Sequence, residues 1–110
     1  MYRSSGLDVD RTAYVECHGT GTQAGDLLEL HAVSESLCKN RSADNPILVS
    51  SIKPNIGHLE GSAGVAGLIK GVLVVEKGFI PKHCNFETQN HRIDFDGLKV
   101  KVCESNLIIN

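Results

Sequence analysis

Apolar positions along the chain fall into runs of two different periods. Thr12-Ala-Tyr-Val-Glu-Cys17 carries β-branched and aromatic residues and ends in a glycine-rich turn, which predicts a strand. Leu27, Leu30, Val33, Ser34 and Leu37 then recur at helical spacing. They predict a helix over 27–38, with Asp26 as N-cap and Glu29 in capping-box position. Ile47-Leu-Val-Ser-Ser-Ile52 is a continuous apolar run, the pattern of a strand covered on both faces. Residues 59–77 are apolar nearly all round and predict a long helix, which Gly78 ends as its C′ residue. Residues 79–96 keep no period, contain Pro81, and read as an irregular excursion. Leu98-Lys-Val-Lys-Val-Cys103 alternates with period two and predicts an edge strand whose lysines discourage further pairing. The apolar tail Leu107-Ile-Ile-Asn110 has no evident partner. This alternation of strands and helices is α/β.

The long apolar helix adds a constraint. Gly57, Gly61, Gly64, Gly67 and Gly71 fall at spacings of four, three, three and four, on one helical face. A glycine inside a helix costs roughly 1 kcal/mol against alanine, so something must pass close to that face. A helix covered on every side needs more layers than three strands and two helices provide, and the domain is expected to be incomplete.

Composition narrows the partners. The 110 residues fit one domain, 1–110, with 41% hydrophobic and 22% charged residues. A net charge of -2 and five aromatic residues give no case for nucleic acid or an anionic membrane surface. No apolar run reaches the roughly 18–20 residues of a membrane span. Cys17, Cys38, Cys84 and Cys103 form no CxxC unit and follow no signal peptide, so they read as reduced thiols in a cytoplasmic protein. No Cys or His pair has metal-ligand spacing, and no metal is expected.

Two polar clusters sit between these apolar elements: His18-Gly-Thr-Gly-Thr22, and the turn from Lys53 to Glu60 that contains Asn55 and His58. Titratable groups squeezed between buried elements are costly to maintain, which marks both as candidate sites. A neutral histidine can donate Nε2–H to a developing oxyanion. If their strands are neighbours, His18 and His58 can converge on one carbonyl oxygen. Lys53 adds positive charge, Glu60 balances it, and the Thr20 and Thr22 hydroxyls can meet an amide-bearing ligand. The plainer alternatives are two surface histidines, an exposed ion pair worth about 0–1 kcal/mol, and a tight glycine turn. Gly19-x-Gly21-x-x-x-Gly25 misses the dinucleotide spacing, and no Gly-Lys-Ser/Thr follows for a P-loop.

The motifs themselves resemble a known family. Val15-Glu-Cys-His-Gly-Thr-Gly-Thr-Gln-Ala-Gly-Asp26 resembles the first histidine motif of β-ketoacyl synthases. Ser51-Ile-Lys-Pro-Asn-Ile-Gly-His-Leu-Glu60, with Ala63-Gly-Val-Ala-Gly-Leu-Ile-Lys70, resembles the second. Residues 81–94, with Asn85-Phe-Glu-Thr-Gln-Asn, are similar to the segment that follows in polyketide synthases. The resemblance spans about residues 6–102, with 103–110 a divergent tail, and is nearest to fungal highly reducing type I polyketide synthases. It implies the C-terminal portion of a thiolase-like α-β-α-β-α fold, with the N-terminal half absent.

In that family a cysteine takes the growing acyl chain as a thioester. Two histidines promote decarboxylation of a malonyl-type extender and stabilise the enolate before carbon–carbon bond formation. The resemblance implies that His18 and His58 are those two, that Lys53 is the motif lysine, and that Glu60 is the acid paired with it. It implies that Thr20, Thr22 and Asn55 meet the phosphopantetheine arm of an acyl carrier protein, which delivers acyl and malonyl thioesters, and that no cofactor is bound. The remaining partners it implies are the rest of the ketosynthase domain and a second copy in a homodimer. The family's nucleophile lies in an Ala-Cys-Ser elbow that none of the four cysteines matches. The chain alone is therefore expected not to condense. The alternative is a non-catalytic remnant or truncated gene product, at most a pantetheine-binding module. Leu27 also departs from the motif, which usually has proline there.

Overall fold

The computed structural model describes residues 2–109, Arg3 by its backbone alone; Met1 and Asn110, the ends of the expected 1–110 domain, lie outside. In chain order the elements are helix α1 (Tyr2–Ser5), strand β1 (Tyr14–Glu16), helix α2 (Gln23–Leu37), strand β2 (Ile47–Ser50), helices α3 (Lys53–Ile56) and α4 (Ala63–Lys77), strand β3 (Phe79–Ile80), helix α5 (Phe95–Leu98), and strands β4 (Val100–Val102) and β5 (Leu107–Ile108).

β1, β2 and β4 form a parallel sheet in that order, with Glu16 opposite Ser50 and Val49 opposite Val102. Parallel neighbours need crossovers, which α2 and α4 supply. Successive side chains alternate between the two faces. Ile47, Val49, Val100 and Val102 turn to one side and join Leu30 of α2, Cys38 and Ile93 in the main core. Tyr14 and Leu48 turn to the other side, against a smaller cluster of Val74 from α4, Ile80 and Cys103. β4 lies at the sheet edge with Lys101 exposed, as its alternation predicts.

Several expectations are corrected. α2 starts a turn earlier than Asp26, because Thr22, in extended backbone, accepts the Gly25 amide and caps it. Asp26 and Glu29 instead reach back to the preceding loop, to the amides of Gly21, His18 and Gly19. The apolar tail does have a partner: β5 pairs antiparallel with β3, and Leu107 and Ile109 pack beside the fully buried Ile80. Leu98 closes α5 rather than opening β4, with Asp94 accepting the Gly97 amide at the helix start and Lys99 left-handed at φ 56° after it.

α4 ends as expected, with Gly78 left-handed at φ 59° and its N–H bonded to the Val74 carbonyl. It begins at Ala63, after a 3₁₀ turn over Glu60–Ser62, rather than at Leu59. One side of α4 packs on the sheet through Ala63, Lys70 and Val74, while Leu68, Val72 and Val75 are exposed. Within the described residues, Gly67 approaches another element: a Cβ there would sit 3.4 Å from the Glu16 side chain, whereas Gly61, Gly64 and Gly71 face open space. Among the described residues no helix is long and apolar enough to cross a membrane.

Between the sheet and α4 lies a buried ion pair, Lys70 Nζ to Glu16 Oε2 at 2.8 Å. Lys70 also donates to Ser50 Oγ at 2.7 Å, and Tyr14 donates to the Glu16 carboxylate. Removing one partner of a buried pair leaves the other uncompensated. Lys70→Ala should therefore cost about 3–5 kcal/mol in urea unfolding. Lys77→Ala, whose 3.4 Å pair with Glu76 is well exposed, should leave stability nearly unchanged. Equal midpoints for the two variants would contradict this reading of α4.

Candidate active site

β1 and β2 are parallel neighbours that end level with one another, so the turns leaving them lie side by side at the carboxyl edge of the sheet. That edge is where α/β folds bind ligands. The first turn carries His18 and the second leads through α3 to His58. Their rings meet edge-on, with centroids 5.4 Å apart and planes at 85°. Both side chains are exposed to the space between the loops.

Each histidine is oriented by its backbone surroundings. Glu29 accepts the amides of His18 and Gly19, at 2.5 and 2.8 Å, and holds the first loop against α2. His58 Nδ1 accepts the Glu60 amide at 2.9 Å. An imidazole nitrogen that accepts a bond carries no proton, so the neutral His58 ring holds its hydrogen on Nε2. Gly57 makes the turn before His58 at φ 81°, a conformation that suits glycine.

Lys53 opens α3 and lines both clefts that flank the histidines. One cleft, of about 840 Å³, runs from His18 along the glycine side of α4, between Glu16, Leu68 and Val72. The other, of about 830 Å³, is lined by Thr20, Ser51, His58 and His83. The expected Lys53–Glu60 ion pair does not form: among the described residues, the carboxylate of Glu16 pairs with Lys70, and Glu60 is exposed in a turn at φ 47°. Thr22 spends its hydroxyl oxygen on the α2 cap, 3.4 Å from Thr20 Oγ1. Asn55 points its Nδ2 at Cys84 Sγ, 2.9 Å away, and lines neither cleft.

The structure adds residues that spacing did not single out. Glu16 divides its carboxylate: Oε2 meets Lys70, and Oε1 accepts the Ile52 amide at 2.6 Å, at the entrance to the second histidine turn. Ser51 and His83 support the same turn from the other side. One signal was available, a lysine at position 70 inside an otherwise apolar helix, which implies a buried carboxylate partner.

Cys17, Cys38 and Cys103 are not activated. Burial, followed by the carboxylates of Glu29, Glu16 and Asp26, pushes the Cys17 thiol up to about 12. Burial raises Cys103 to about 11 and also raises Cys38. Nucleophilic thiols need the opposite surroundings, positive charge and access. Among the described residues no group of three or more His, Cys, Asp or Glu is disposed to hold a metal.

Residues 1–87 match the family described as beta-ketoacyl synthase, C-terminal domain. The chain is 53% identical over 102 residues to the highly reducing polyketide synthase Preu1 of Preussia isomera, covering 93% of this chain and 4% of that protein. It is 48% identical over 101 residues to the hybrid PKS-NRPS synthetase pytA of Aspergillus terreus, 92% of this chain and 15% of that one. Its fold superposes on ketosynthase twelve of the bacillaene polyketide synthase of Bacillus amyloliquefaciens with a TM-score of 0.89, at 28% identity over 100% of this chain and 20% of the other. The module 6 ketosynthase of the Bacillus subtilis 168 bacillaene synthase gives 0.86 at 32% identity, again over 100% of this chain and 20% of that one. The chain thus spans a small part of each relative. The histidine loops at the end of a parallel sheet and these matches agree: the chain belongs to the β-ketoacyl synthase family, whose C-terminal domain it matches.

Proposed function

We propose that this chain supplies the two histidines of a polyketide-synthase ketosynthase that performs decarboxylative Claisen condensation. The observation that carries this reading is the edge-on approach of the His18 and His58 rings at 5.4 Å, with His58 Nε2 protonated by virtue of its Nδ1 bond. A malonyl thioester carbonyl lying between the rings accepts an Nε2–H bond. The electrons of the breaking carbon–carboxylate bond then move onto that oxygen, and carbon dioxide leaves. Hydrogen-bond donors aimed at the enolate oxygen lower the barrier because they are already in place. The enolate carbon attacks an acyl thioester, and the thiolate that held the acyl group departs. Lys53, between the two clefts, adds positive charge as the carboxylate docks.

The acyl thioester must be formed on a cysteine outside these 110 residues, because ionisation of Cys17, Cys38 and Cys103 is disfavoured and none of the four cysteines, Cys84 included, lies in the family's Ala-Cys-Ser elbow. The malonyl and acyl groups arrive on the phosphopantetheine arm of an acyl carrier protein. Thr20 offers that arm a hydroxyl in the second cleft, while Thr22 is engaged as a cap. The remaining partners are the rest of the ketosynthase domain, which covers the exposed side of α4, and a second copy of that domain.

Two outcomes test the reading. When this chain replaces the matching segment of the Preussia isomera synthase, the chimera should condense. His18→Ala or His58→Ala should then lower its rate about 10²–10⁴-fold. Rates within about threefold of the parent chimera in both variants would refute the proposed roles. In the chain by itself, iodoacetamide at pH 8 should modify Cys84 well before the others. A thiol ionising near 12 is only about 1 part in 10⁴ thiolate there, and Cys38 and Cys103 are 1% exposed. Mass spectrometry showing Cys17 labelled first would point to an activated thiol beside His18 instead.

A further inference from the structure

Ser51 is 1% exposed and sits where the β1–β2 ladder stops. The last ladder bond runs from the Cys17 amide to the Ser50 carbonyl, at 2.8 Å. Beyond it the two loops have no regular pairing to hold their spacing. The Ser51 hydroxyl takes over: Oγ donates to the His18 carbonyl at 3.2 Å and accepts the Lys53 amide at 3.3 Å. The approach is tight enough that a Cβ on Gly19, itself at φ 47°, would lie 2.7 Å from Ser51 Cβ. Only glycine fits there without moving one loop.

Ser51 is itself held by a third histidine. Its amide donates to His83 Nδ1 at 3.1 Å. The His83 amide donates in turn to the Cys103 carbonyl at 2.6 Å, next to β4, and its ring packs edge-on against Phe86 at 5.8 Å. The accepting Nδ1 requires the neutral ring protonated on Nε2. The charged groups that face it are Lys70 from α4, Glu16 from β1 and Asp26 from α2; burial dominates, with Lys70 next, and holds His83 below its usual value.

We infer that Ser51, buttressed by His83, is the positioning device that sets the spacing between the His18 loop and the Lys53–His58 turn. This rests on the ketosynthase reading above for its effect on rate, but its geometry does not. Neither residue touches the reacting atoms. Ser51 acts through the His18 carbonyl and the Lys53 amide, and His83 acts through Ser51. A loop displaced by about 1 Å can cost roughly 100-fold in rate, because proximity is lost before binding is.

The test uses the ketosynthase domain of the Preussia isomera synthase with this chain in place of its own segment. Ser51→Ala and His83→Leu should lower kcat about 10- to 100-fold, with KM for the carrier-bound malonyl thioester within about twofold. His83→Asn, which keeps an acceptor near the Nδ1 position, should recover most of the rate. Parental kcat in both Ser51→Ala and His83→Leu would overturn the inference, as would His83→Asn no better than His83→Leu. If Ser51→Ala does not fold, the His83 pair decides alone. If the parent chimera does not condense, the ketosynthase reading fails, and imidazole ¹⁵N spectra of the same domain still decide the Ser51–His83 link. His83 should be neutral with a bare Nδ1 at pH 7; a charged ring or an Nδ1 proton would break it. Urea midpoints give the sign independently. The unfolded chain takes up a proton near 6.5 before the folded one does, so the parent should lose stability as pH falls below that value and through the lowered one. His83→Asn should lose less, and an equal loss would count against the bond.

Discussion

Glu16 closes β1 with a carboxylate that has almost no water to face, and the way it is satisfied governs the rest of the structure. One oxygen pairs with Lys70 of α4 and takes the Tyr14 hydroxyl; the other accepts the Ile52 amide. Lys70 completes its shell on Ser50. Charges taken out of water are stable only when such geometry is complete, so the network admits little displacement of any member. Burial and the neighbouring carboxylate push the Tyr14 phenol well above its usual range, which keeps it a donor at any ordinary pH. The network thus fixes α4 against the sheet and fixes the start of the second histidine turn with the same carboxylate. Its Glu16 side chain is also the nearest neighbour of Gly67, 3.4 Å from where a Cβ would stand.

From this anchor the site follows by geometry. Two parallel strands ending level with one another present two loops to one cleft. Glu29 ties the first loop to α2, Glu16 ties the second to α4, and Ser51 ties the loops to each other. The histidines remain exposed at the meeting point, where a ligand can reach them. One side of α4 leaves Leu68, Val72 and Val75 in solvent, and the chain spans 20% of the solved ketosynthase on which it superposes.

Much of this was legible in the sequence. β1 and β2 announced themselves through β-branched runs, the α2 stripe through its helical spacing, and the end of α4 through Gly78. The two histidines stood out because polar groups between apolar elements are costly. What could not be read was settled by tertiary contacts. Thr22 and Asp26 are both good caps; Thr22 won because the loop amide of Gly21 claimed Asp26. β5 has two residues, too few to show a period, and its partner β3 lies far back in the chain. The Lys53–Glu60 pairing followed from nearness in sequence and from the resemblance, but the positive φ of Glu60 leaves that carboxylate exposed. Lys70 breaks the apolar pattern of α4 and so implies a carboxylate partner, but nothing in the sequence says that Glu16 of β1 supplies it. His83 fell in a stretch with no period, where sequence offers no orientation.

The central claim is that the two rings converge on a single substrate oxygen. A crystal structure of the ketosynthase domain containing this chain, soaked with a non-decarboxylating malonyl thioester analogue, tests it directly. The account predicts the thioester carbonyl oxygen within about 3.2 Å of Nε2 of both His18 and His58. An analogue bound with its carbonyl away from either ring, or with His58 turned so that Nδ1 no longer meets the Glu60 amide, would contradict it.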